Sequence, residues 1–64
     1  MPIISITMGQ LDARQKSTLI KELTSTAVDV TKIPEQSFTV LIHEMEDQNI
    51  GVGGKPLAEV KKAQ

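Results

Sequence analysis

Two strand patterns separated by one long helix pattern constrain the fold of this chain more than any other feature. Residues 2–8 alternate, with Ile4, Ile6 and Met8 on one face, and the run 37–44 is rich in apolar and β-branched side chains. A strand, a helix and a second strand form a βαβ unit, in which the strands are parallel and the crossover is right-handed. We therefore predict an α/β (α+β) fold with a single βαβ protomer.

The helix is predicted from about Ala13 to Lys32. Asp12 followed three residues later by Gln15 resembles a capping box, and Pro34 biases the residue before it away from helix. At 100° per residue the helix is amphipathic. Five apolar residues fall in one arc: Leu19, Ile20, Leu23, Ala27 and Val30.

Glycines mark the region after the second strand. The segment Ile50-Gly51-Val52-Gly53-Gly54 is expected to form a short hairpin or arm that is suited to reaching a neighbour, because glycine permits its turns. The tail 56–64 is short and charged, and we expect it to pair weakly or fray. Residues 1–64 are expected to form a single domain.

A protomer of this size needs additional stabilisation. Two strands alone do not make a stable sheet, and the chain has no cysteine for a disulfide and one histidine, too few for a zinc site. Self-association remains, so we predict a symmetric homo-oligomer without metal or cofactor.

The charge balance and hydropathy exclude several classes of partner. Seven basic and eight acidic side chains leave a net charge near zero, and no basic cluster or aromatic platform is suited to nucleic acid. No apolar run has membrane length, and no signal peptide is present. We expect a soluble, cytoplasmic protein with no nucleic-acid or membrane partner.

Pro2, directly after Met1, is the first candidate for chemistry. If the methionine is removed, the Pro2 nitrogen becomes a secondary amine, and ordinary α-amino groups titrate near ~7.7–8.0. Burial and nearby cations favour the neutral form of such a group, and a base poised near neutral pH is suited to proton transfer. Alternatively, Pro2 only starts a strand, where its missing N–H does no harm.

Four features together resemble the 4-oxalocrotonate tautomerase family, in particular its small, divergent members. They are Pro2 at the head of a strand, the pair Gln15-Lys16, the run 40–45 and the glycine arm 51–54. The resemblance covers nearly the whole chain. It implies βαβ protomers that pair into dimers and assemble as hexamers, and an amino-terminal proline that moves a proton in small unsaturated 2-oxo acids without a cofactor.

The chain departs from the pattern of the best-known family members at three places. Those members have an arginine in the loop after the first strand, where residues 9–12 hold no cation. They have a second arginine early in the second strand, where this chain has Thr39, and an aromatic residue in the arm, where it has Ile50. Because those arginines would bind substrate carboxylates and polarise the 2-oxo group, their absence affects the expected substrate more than the fold.

Five residues are therefore expected to form the site. Pro2 is the catalytic base, and Thr39 is expected near it because parallel strands start at the same end of a sheet. Ile50 is expected to keep the site wall apolar. Lys16 at the helix start and Lys55 after the glycine arm are candidate cations for the substrate, Lys16 because its stem can follow the apolar side while its ammonium reaches the site mouth.

Two other side chains are not expected to act on the substrate. His43 lies four to five residues beyond the start of its strand, roughly 15 Å from the proline of the same subunit, which favours a structural or interfacial role. Arg14 is the sole arginine, but its angular position places it on the solvated arc of the helix.

Three functions are compatible with these features. The first is a tautomerase or isomerase with Pro2 as general base. The second uses the protonated amine as a general acid in hydration or dehalogenation of an unsaturated acid, and a pH profile separates the two. The third is a non-catalytic oligomeric binding protein, which the absence of tryptophan and tyrosine disfavours for ligands that stack on rings.

Overall fold

The structure confirms the βαβ unit. This computed structural model describes the backbone of residues 2–62 and the side chains of residues 2–60. Its first three major elements are β1 (Ile3–Met8), α1 (Ala13–Thr31) and β2 (Thr39–Glu44), with a 3-10 turn at Glu35–Ser37 before β2. The two strands pair in parallel, from Ile3 opposite Thr39 to Met8 opposite Glu44.

Both ends of α1 are fixed by local interactions. The Gln15 amide N–H donates to the Asp12 side chain at 2.8 Å, and the Asp12 amide N–H donates to Gln15 Oε1 at 3.1 Å, which confirms the predicted capping box. At the other end Lys32 adopts the left-handed conformation with φ 63°, and its N–H donates to the Val28 carbonyl at 2.8 Å. The chain thus leaves the helix just before Pro34.

The predicted glycine hairpin is present. β3 (Gly51–Val52) and β4 (Lys55–Pro56) pair antiparallel, and they follow a 3-10 turn at Asp47–Asn49. The turn between them consists of Gly53 and Gly54, whose φ angles of 61° and 82° suit glycine.

The prediction that the tail pairs weakly or frays is wrong for residues 57–62, which form the short helix α2 (Leu57–Lys62). The Leu57 N–H donates to the Ile50 carbonyl at 2.7 Å, so the hairpin anchors the first turn. Leu57 and Val60, three residues apart, are both half-buried and share one side of this turn. Residues 63 and 64 lie outside the described residues.

One face of the sheet packs against α1. In β1 the half-buried residues alternate with exposed ones as predicted, and the half-buried helix residues Leu19, Leu23 and Ala27 belong to the predicted arc. Ile20 and Val30 of that arc are exposed, at 41% and 77%. Strands lie about 5 Å apart and a helix with its side chains is about 10 Å wide, so two strands are too narrow to cover the whole arc.

The protomer has no closed core. None of the described residues is fully buried. The chain exposes 5047 Å², whereas a compact monomer of 7.0 kDa exposes about 4,000 Å². Its radius of gyration is 15.3 Å, against about 11 Å for a compact chain of this length. The protomer therefore exposes about 1,000 Å² more than a compact monomer of its mass. Within the described part of the chain, no helix combines the length and apolarity needed to cross a bilayer.

Candidate functional site

Pro2 and Thr39 meet at the edge of the sheet where both strands begin. The Thr39 N–H donates to the Pro2 carbonyl at 3.1 Å, so the predicted proximity of these two residues is present in the structure. Both residues are half-buried. Because proline has no amide hydrogen, Pro2 joins the ladder through its carbonyl alone, and its ring nitrogen donates no hydrogen bond there.

An ion pair lies at the opposite edge, where the strands end. The Lys16 ammonium contacts Glu44 Oε1, and the Leu11 N–H donates to Glu44 Oε2 at 3.1 Å. The hydrogen bond from Lys16, followed by that from Leu11, lowers the pKa of the Glu44 carboxyl below its usual value. Glu44 therefore ties the loop after β1 and the first turn of α1 to the end of β2.

The ion pair with Glu44 holds Lys16 far from Pro2 within one protomer. Glu44 is the sixth residue of β2 and Thr39 the first, and five steps at about 3.3 Å place the two ends roughly 16 Å apart. Lys16 thus lies at the edge where the strands end, and Pro2 lies at the edge where they begin.

Ile50 and Lys55 lie in the part of the chain that follows the end of β2. Ile50 is half-buried and its carbonyl accepts the hydrogen bond from Leu57, whereas Lys55 is exposed and forms no ion pair within residues 2–60. Of the five predicted site residues, the protomer brings together Pro2 and Thr39. The other three lie in segments near the end of the sheet where the strands end: Lys16 in the first turn of α1, and Ile50 and Lys55 in the chain that follows β2.

His43 and Arg14 occupy the positions that their spacing predicts. His43 pairs with Thr7 in the register, far along the strand from Thr39, and its side chain is exposed. Arg14 is exposed in the first turn of α1. The residue that the sequence analysis missed is Glu44. The signal in the sequence was the position of Glu44 at the end of β2. The loop that leads from β1 to α1, the helix that carries Lys16, lies at the same end of the sheet.

The chain combines a parallel βαβ unit with a proline before the first strand and a glycine hairpin after the second. The family model described as tautomerase enzyme matches residues 2–60. The chain therefore belongs to the tautomerase family and is a tautomerase-like isomerase, which confirms the resemblance seen in the sequence.

Individual relatives agree with this assignment. The chain is 34% identical to 2-hydroxymuconate tautomerase from Pseudomonas sp., over 97% of this chain and 100% of that protein. Two solved structures are similar in fold. DmpI from Archaeoglobus fulgidus has a TM-score of 0.82 and 35% identity over 89% of this chain and 98% of its own. A heterohexamer 4-oxalocrotonate tautomerase from Chloroflexus aurantiacus has a TM-score of 0.85 and 28% identity over 94% and 98%.

Proposed function

We propose that this protein is a tautomerase in which the secondary amine of Pro2, exposed by removal of Met1, acts as general base on small unsaturated 2-oxo acids or their enols. The observation that carries the proposal is the position of Pro2, half-buried at the head of β1 and joined to Thr39 through its carbonyl, which leaves the ring nitrogen outside the ladder. The similarity to a 2-hydroxymuconate tautomerase supports this substrate class.

The proposed reaction is an isomerisation: one proton moves between two atoms of the substrate, and no atom is gained or lost. The amine lone pair of Pro2 accepts a proton from the substrate, and the ammonium then returns it to a different atom of the dienolate. The negative charge that develops on the substrate requires hydrogen-bond donors or a cation. The lysines are assigned to binding of the substrate carboxylate: Lys55 has no ion pair within residues 2–60, and the charge of Lys16 is already balanced by Glu44, so we assign the larger role in that binding to Lys55.

We propose further that the site is completed by a neighbouring copy. In one protomer Pro2 and Thr39 lie at the edge where the strands begin, and Lys16 lies at the other edge. A two-fold axis perpendicular to the sheet makes the strands of two copies antiparallel, so the end of one sheet lies beside the start of the other. That arrangement would bring the two halves of the site together.

The assembly proposed for this chain is a homohexamer built as a trimer of dimers. The open protomer, with no buried residue among those described, supports association. The similarity to a protein described as a heterohexamer supports the number of subunits.

The test begins with the intact mass of the purified protein, because a retained Met1 would leave the Pro2 nitrogen as an amide without base chemistry. On protein that lacks Met1, Pro2→Ala is expected to lower kcat toward 2-hydroxymuconate by roughly 10²-fold, the lower end of the range for loss of a general base, since alanine keeps a primary amine. Pro34→Ala, between α1 and β2, is the matched control and should retain activity. Equal turnover in the Pro2→Ala and wild-type proteins would refute the proposed base.

The pH profile separates the base from an acid at the same position. A general base requires the neutral amine, so the rate should rise as pH rises through the titration of the amine. A rate that falls over the same range would instead favour the protonated amine as a general acid in hydration or dehalogenation.

A further inference from the structure

The loop between β1 and α1 has one hydrogen bond to the end of β2. This loop consists of residues 9–12, and its last residue starts the helix through the capping box. Within residues 2–60, Gly9 and Gln10 form no hydrogen bond, whereas the Leu11 N–H donates to Glu44 Oε2 at 3.1 Å. The position of Leu11 relative to the sheet therefore depends on the Glu44 carboxylate.

The Glu44 carboxylate is itself held by a second element. Its Oε1 atom contacts the ammonium of Lys16 in the first turn of α1, while Oε2 accepts from Leu11. Hydrogen bonds to an ionised carboxylate are shorter and stronger than those between neutral groups. Because these two donors lower the pKa of Glu44, the carboxylate is charged at neutral pH. Leu11 is thus fixed relative to a strand and a helix.

Leu11 is the one large apolar residue of the loop. It is half-buried and lines, with Met8 and Leu19, an apolar groove between the end of β1 and α1. In the two-fold arrangement proposed above, the edge where the strands end lies beside the Pro2 of the neighbouring copy. The loop of one copy would then supply an apolar wall next to the amine of the other.

We propose that Glu44 is a positioning residue, which holds the Leu11 N–H and so sets the loop of one copy against the Pro2 of its neighbour. The proposal rests on the proposed function and on the proposed pairing of copies. Glu44 does not touch the substrate and acts through Leu11. An apolar wall contacts the substrate equally in the ground and transition states, so release of the loop should raise KM and leave kcat unchanged.

Glu44→Ala and Glu44→Gln remove the same charge, but only glutamine keeps an oxygen that can accept the Leu11 N–H. For Glu44→Ala, KM for 2-hydroxymuconate should rise about tenfold, below the roughly 10²-fold that a 1 Å misplacement can cost, and for Glu44→Gln less than about threefold. The matched control is Glu22→Ala, an exposed glutamate of α1 without a hydrogen bond within residues 2–60, which should behave as wild type.

Two measurements without turnover accompany the kinetics. The Kd of muconate, which lacks the hydroxyl group and cannot tautomerise, should follow the same order in calorimetry and does not require Pro2 as a base. Amide hydrogen exchange should show Leu11 protection lost in Glu44→Ala and kept in Glu44→Gln, with α1 protected in both. If Glu44→Ala does not fold, Glu44→Asp replaces it, since aspartate keeps the charge but is one methylene too short to reach Leu11.

Mixed oligomers test whether the loop acts across copies. Pro2→Ala chains carry an intact loop and Glu44→Ala chains an intact proline, so a pair with one of each has one complete site. Refolded together in equal amounts, the two proteins should reach about 25–30% of the wild-type kcat/KM, against about 5% when refolded apart.

Equal KM for the alanine and glutamine variants, or no gain on mixing, overturns the positioning role while Pro2→Ala still shows the loss expected of a base. A wild type that neither binds muconate nor turns over 2-hydroxymuconate refutes the proposed function, and with it the site that Glu44 would position.

Discussion

Replacing Lys32 with glycine should stabilise the protein. Lys32 is the one non-glycine residue with positive φ within the described residues, at φ 63° and ψ 16°, and it ends α1 before the chain enters β2. A side chain with a Cβ costs roughly 1–2 kcal/mol in this left-handed region. Glycine removes that cost but loses about 0.5–1 kcal/mol more on folding through its freer unfolded chain. The net expectation for Lys32→Gly is a gain of about 0.5–1 kcal/mol.

That gain corresponds to a measurable shift of the melting temperature. At about 2.1 cal/mol/K per residue, the 64 residues have an unfolding entropy of roughly 130 cal/mol/K per protomer. A gain of about 0.5–1 kcal/mol then raises Tm by about 4–8 °C. Thermal unfolding followed by circular dichroism would measure it, with all variants at the same protomer concentration because the Tm of an oligomer depends on concentration.

Two control variants separate backbone strain from the loss of a lysine. Lys32→Ala removes the same charge but keeps the Cβ, so it should show none of the gain. Lys21→Gly, in the middle of α1, should lose about 1 kcal/mol because glycine is unfavourable in a helix interior. If Lys32→Gly melts no higher than the wild type, or if Lys32→Ala gains as much, the strain at this position is not what limits stability. The kcat of Lys32→Gly should be unchanged, since Lys32 is not part of the proposed site.

Two further predictions concern the charged groups near the end of β2. Lys55→Gln should raise KM for an acid substrate and leave kcat unchanged. Lys16→Gln should raise KM less, because Glu44 already balances the charge of Lys16. Steady-state kinetics that show equal effects for the two variants, or no effect, would contradict this assignment. Glu44→Gln should be less stable than the wild type at neutral pH. Because the folded pKa of Glu44 is lowered, its contribution is present above its ordinary value of 4.5 and is lost as pH falls through the lower folded value. Denaturant unfolding at about pH 7 and about pH 3 should show the difference between the two proteins shrinking in acid, and a constant difference would contradict the ion pair's role.

Elements whose cause is local could be predicted from the sequence. The alternation of Ile4, Ile6 and Met8 reports a strand with one covered face. Asp12 and Gln15 mark the start of α1, since the capping box is formed by residues three apart. The glycines at 53 and 54 predicted the turn because most other residues disfavour the positive φ angles that it requires. α2 was missed because a helix of six residues, less than two turns, has little periodicity, and its first N–H donates to a carbonyl seven residues earlier.

The sequence by itself thus determined the βαβ order and the position of Pro2, because these follow from neighbouring residues. Only the tertiary structure decided which charged groups lie together at one end of the sheet. The pairing of Lys16 with Glu44 joins residues 28 positions apart, and it depends on the strand register and on how α1 lies on the sheet. Side-chain periodicity assigns each residue to a face of its own element, but it carries no information about the contacts between elements that set the electrostatics of a site.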